Sequence, residues 1–135
     1  MSTALTITCG ILLGAVGLIL TRDKKRRELT ELAKRDALSI EEIYRRYYAD
    51  LHLAKDDVAE LWNEVAHTLK VPGSQMRPGD RFGVEIGTSV LTSEDLDVLS
   101  VVAQQRAKKQ EQQINLSLLN TVDDYVKQFA RPRSQ

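Results

Sequence analysis

Between Thr3 and Leu20 the chain carries no charged side chain, and five of the six residues from Arg22 to Arg27 are positive. As an α-helix, those eighteen apolar and small residues would span about 27 Å, close to the roughly 30 Å of a bilayer core. The order is the reverse of a cleaved leader, in which basic residues precede the apolar run and a small-x-small site follows it. Here nothing basic precedes the run, which ends Leu18-Ile19-Leu20. The expectation is a single uncleaved transmembrane helix over residues 1–21. Basic residues stay on the cytoplasmic side, so the C-terminal domain is expected in the cytoplasm. Arg22, Lys24, Lys25, Arg26 and Arg27 are then expected at the membrane surface, in contact with lipid headgroups.

Gly10, Gly14 and Gly17 fall on one face of that helix, and Gly10-x-x-x-Gly14 is a spacing that lets two membrane helices approach closely. A homodimer through this segment is one expectation; ordinary glycine usage in membrane helices is the plainer one. Cys9 is the chain's single cysteine, so no intrachain disulfide forms, which suits a reducing compartment.

The net charge of zero conceals a split. Residues 22–27 hold five Lys/Arg and one Asp, and residues 28–135 hold fourteen Lys/Arg and eighteen Asp/Glu, giving +4 and −4. An acidic remainder argues against nucleic acid as a partner.

Beyond the basic cluster, residues 22–55 read as a collar and helical stalk, residues 56–130 as a small helical domain and residues 131–135 as a tail. Ser39-Ile40-Glu41-Glu42 has the spacing of a capping box. After it, Ile40, Ile43, Tyr44, Tyr47 and Leu51 form an apolar stripe at helical spacing. Arg45 and Arg46 among these tyrosines are read as the solvated edge of that stripe. Asp57-Val58-Ala59-Glu60 is read as a second capping box. Val58, Leu61, Trp62, Val65 and Leu69 then follow at i, i+3, i+4, i+7 and i+11, the clearest amphipathic helix in the chain. His52 and His67 each stand without a second ligand nearby, so no metal site is expected. Residues 72–92 hold two of the three prolines and four of the seven glycines and are read as a long loop. Thr92 is expected to cap a helix running to about Lys109, with Leu96, Leu99, Val102 and Ala103 inward. Thr121-Val122-Asp123-Asp124 opens a last short helix that packs Val122, Tyr125, Val126 and Phe129.

Helix, long loop, helix, short connection and last short helix form a series that, from about Asp56 to Phe129, resembles an acyl carrier protein. Val58 to Val71 looks like that family's first helix and the hydrophobic turn after it. Glu94-Asp95-Leu96-Asp97 resembles the Asp-Ser-Leu-Asp that opens its second helix. Thr121-Val122 with Asp124-Tyr125-Val126 resembles the start of its last helix. The likeness implies a small acyl-carrier-like helical bundle, so with the N-terminal segment the expected fold class is all-α: a single transmembrane helix followed by that bundle. In the family the serine of that motif bears phosphopantetheine. The matching residue here is Asp95, which has no hydroxyl to modify.

The resemblance implies that Glu94, Asp95 and Asp97 form a docking face for a protein partner. The same carboxylates also favour the positive end of the helix dipole, by about 0.3–1 kcal/mol each. The expected function is a non-catalytic docking or scaffolding module at the inner face of a membrane, with no cofactor. The alternatives are a working carrier with phosphopantetheine on Ser93, and a membrane-tethered helical bundle of structural role. An enzyme is not expected, because the two histidines and scattered carboxylates give no nucleophile–base pair.

Overall fold

In the computed structural model, residues 22–88 and 94–134 are described. The described part of a first helix, α1, covers residues 22–33. It is followed by α2 (Ile40–Tyr47), α3 (Lys55–Leu69), α4 (Glu94–Lys109) and α5 (Val122–Phe129). Short 3-10 turns lie at Ala49–Leu51, Gly73–Gln75 and Leu116–Leu118. Among the described residues there are no strands, only isolated bridges such as Arg81 with Thr121.

α3 is the hub, packing against α2, α4 and α5. Its apolar stripe explains this. Val58, Leu61, Trp62, Val65 and Leu69 are all buried, and Ala66 joins them. Each large apolar side chain withdrawn from water contributes about 1.5–3 kcal/mol. Trp62 is a core anchor whose indole Nε1 donates to the Gly73 carbonyl at 2.8 Å. The edge of Tyr48 meets its ring, at a centroid distance of 6.2 Å. α3 has no side-chain cap, since it starts at Lys55 with Ala54 as N-cap. Asp57 instead accepts from the backbone N–H and guanidinium of Arg131, both at 2.9 Å, and ties the tail to the helix. At the other end Lys70 closes the helix in the left-handed conformation.

Two expected caps are present. Ser39 Oγ accepts from Glu42 N at 3.2 Å, and at α5 Thr121 and Asp124 complete a full capping box. The α2 stripe is displaced, however. Tyr48 is fully buried, while Tyr47 and Leu51 are 38% and 48% exposed. α2 ends at Tyr47, and the 3-10 turn that follows changes the angular step per residue, so the helical register does not extend to Leu51.

The expected architecture and placement need correction. Among the described residues no helix is long and apolar enough to cross a membrane. That finding overturns the fold class led by a transmembrane helix and, with it, the single-pass membrane localisation with a cytoplasmic C-terminal domain. The run from Thr3 to Leu20, with Gly10, Gly14 and Gly17, lies outside the described residues. What is described is a mainly helical domain of five helices, into whose core residues 22–55 also pack. Leu32, Leu38, Ile43 and Tyr48 are buried there.

α1 docks through polar contacts as well. Glu28, 6% exposed, accepts from Lys25 Nζ at 2.5 Å, Thr88 N at 3.0 Å and Thr88 Oγ1 at 3.2 Å. Lys25 Nζ also donates to the Leu69 carbonyl at 2.7 Å. That places a cation on the terminal carbonyls of α3, where the helix dipole favours it. Lys25, expected at a lipid surface, is part-buried and bonded to the Glu28 carboxylate and the Leu69 carbonyl. Just after α1, Arg35 grips the buried Asp80 bidentately, at 2.7 and 2.8 Å.

Candidate functional site

The long loop positions α4. Gly87 has a φ of +71°, and a Cβ there would lie 2.9 Å from a Leu96 methyl and 3.3 Å from one of Leu69. Only glycine fits both the backbone turn and the space. Ile86 beside it is fully buried. On the inner side of α4, Leu99, Ala103 and Ala107 are buried.

Arg106 fixes the rotation of the helix. Its guanidinium meets Glu64 at 3.0 and 2.8 Å and Glu60 at 3.0 Å. Glu64 also accepts the Tyr125 hydroxyl at 2.7 Å, so one carboxylate joins α3, α4 and α5. Hydrogen bonding to Glu64 raises the Arg106 pKa above its ordinary value. Burial first, and Glu64 second, push the Tyr125 hydroxyl up as well. Sequence reading missed this junction, because nothing local links charges 42 residues apart.

Beneath α4 is a cavity of about 190 Å³, lined chiefly by Phe82, Leu96, Leu99, Leu116 and Leu119. Ser100 and Tyr125 also border it, but Ser100 Oγ donates to the Leu96 carbonyl and the Tyr125 hydroxyl is committed to Glu64. The cavity therefore offers apolar walls and no reactive group. Among the described residues no group of three or more His, Cys, Asp and Glu is placed to hold a metal ion. His52 and His67 are both exposed.

The outer side of α4 is different. Glu94, Asp97, Val98, Val101, Gln104, Gln105 and Lys108 are all exposed. Val98 and Val101 are exposed by 53% and 51%, high for β-branched apolar residues. The three candidate docking carboxylates separate. Glu94 and Asp97 face outward, whereas Asp95 is 3.5 Å from Lys70 and ties α4 to the end of α3. Thr92 and Ser93 lie outside the described residues. The two exposed valines were missed in the sequence, although their spacing of three, one turn beyond Glu94 and Asp97, places them on the same face as those acids.

Compared with protein-family models, curated proteins and solved structures, the chain matches none. No match supports the carrier resemblance, which rests on the motif likeness alone.

Proposed function

We propose that this chain is a non-catalytic, acyl-carrier-like helical domain that docks a protein partner on the outer face of α4. The observation that carries the reading is the composition of that face: two exposed carboxylates in the first turn with no ion-pair partner among the described residues, then two half-exposed valines, then amides. A partner suited to it is apolar opposite Val98 and Val101 and basic opposite Glu94 and Asp97. Apolar contact supplies affinity at such a surface, and the charged rim supplies orientation and encounter rate. The resemblance supports the same assignment, since Glu94-Asp95-Leu96-Asp97 corresponds to the motif that opens the carrier's docking helix. Asp95 at the acceptor's position argues against a phosphopantetheine arm.

The test places a photo-crosslinkable amino acid at Val101 of the full chain, expressed in its host, with the same group at Val84 as control. Val84 is 54% exposed but lies in the loop. Defined protein adducts at position 101 and none at 84 support the proposal. Equal labelling at both positions, or none at 101, overturns it.

A further inference from the structure

We propose that the α4 face pairs with a second copy of this chain, the two helices lying antiparallel across a two-fold axis. The inference rests on the docking reading and names its partner. Its basis is the spacing and charge order along the exposed side. Glu94, Val98, Val101, Gln105 and Lys108 follow one another at alternating steps of four and three residues. That is the spacing of a coiled-coil seam, here facing outward with none of the described residues packed upon it. One end of the seam is acidic, with Glu94 and Asp97, the middle is Val98 and Val101, and the other end is basic, with Lys108 and Lys109. All of these side chains are exposed, and among the described residues none of the charged ones is ion-paired.

A stripe with opposite charges at its two ends is complementary to itself when reversed. A parallel pair would set Glu94 against Glu94 and Lys108 against Lys108, and like charges in register oppose association. An antiparallel pair with its axis between Val98 and Val101 sets the two valines of one copy against those of the other. Glu94 then lies beside Gln105 of the second copy and within about one helical turn of its Lys108. The contact uses the same patch on both copies, so it closes at two and does not propagate. Only two half-exposed valines lie at its centre, so it belongs to the small, reversible class of interfaces.

The experiment uses the full chain carrying Cys9→Ser, which removes the only native thiol. A single cysteine is then placed by Val101→Cys, or by Val84→Cys as control, and treated with a short bismaleimide. The expected result is covalent dimer from the Val101→Cys chain well above the Val84→Cys background. Adding either Glu94→Lys or Lys108→Glu is expected to lower the yield roughly fivefold, since each reversal removes both cross-copy pairs. Combining the two reversals restores the pairs and the yield. A yield at position 101 no higher than at 84, or a double reversal that stays low, overturns the proposal. A photo-adduct at Val101 with a different protein, alongside failure of the cysteine coupling, leaves docking standing and removes self-pairing.

Discussion

Arg35 and Asp80 hold the segment after α1 to the loop before α4, and breaking that pair gives a sharp quantitative test. Asp80 has a side chain only 4% exposed, and it accepts two bonds from Arg35 and one from the backbone N–H of Arg77 at 2.7 Å. Its own carbonyl receives Val122 N at 3.1 Å, which ties the loop to α5. Arg35→Met keeps most of the side chain's volume and removes the guanidinium, leaving a buried carboxylate with the Arg77 N–H alone. Breaking a fully buried pair costs about 3–5 kcal/mol. Arg35 is 30% exposed, so water replaces part of the lost interaction, and the expected loss is about 2–3 kcal/mol. For a domain of this size that lowers the Tm by roughly 10 °C or more. Adding Asp80→Asn to Arg35→Met removes the stranded charge and should recover part of the loss, with a coupling of about 1–3 kcal/mol in the double-mutant cycle. Urea unfolding followed by circular dichroism measures all four corners. A single-mutant loss below about 1 kcal/mol, or additive effects, would refute the claim that this pair is buried and coupled.

Three further outcomes follow from the packing. The Tyr48 hydroxyl is buried without a hydrogen bond of good geometry among the described residues, although the Asp123 carboxylate is near enough to interact with it, so Tyr48→Phe should raise stability by about 1 kcal/mol in the same assay; a loss instead would show that the hydroxyl is bonded to Asp123. Gly87→Ala meets both an unfavourable φ and the Leu96 methyl, and should cost at least about 1–2 kcal/mol in the same assay; a neutral result would mean that the loop relaxes freely. The hydrogen bond from Arg131 holds the Asp57 carboxyl below its ordinary value of 3.8. A depressed folded pKa contributes stability above the unfolded value and loses it as pH falls through the folded one. Unfolding measured from pH 6 down to pH 2 should therefore fall less steeply in Asp57→Asn than in the parent chain, and equal slopes would count against the contact.

How much of this was readable beforehand depends on the range of each interaction. The α3 stripe, the capping box at Thr121 and the extent of α4 are local patterns present as read, and at Ser39 the side-chain half of the box is present. Asp57 read as a cap because Glu60 follows at the right spacing, but the long-range contact with Arg131 took its carboxylate. The docking of α1 through Lys25, Glu28 and Thr88 joins residues up to 60 positions apart, and no local periodicity announces it. The basic cluster looked like a membrane collar because five positive charges follow an apolar run. One of those lysines instead caps the end of α3. The acids of α4 were identified from a motif likeness, yet the valines that complete their face required knowing which side of the helix the core takes.

On the proposed carrier-like reading, Asp95 stands where a carrier's modified serine would be, and the domain then bears no phosphopantetheine arm. Intact mass of the full chain, after incubation with a phosphopantetheinyl transferase and coenzyme A, tests that claim most directly. The predicted result is an unchanged mass; a gain equal to the phosphopantetheine arm that disappears in Ser93→Ala would contradict it.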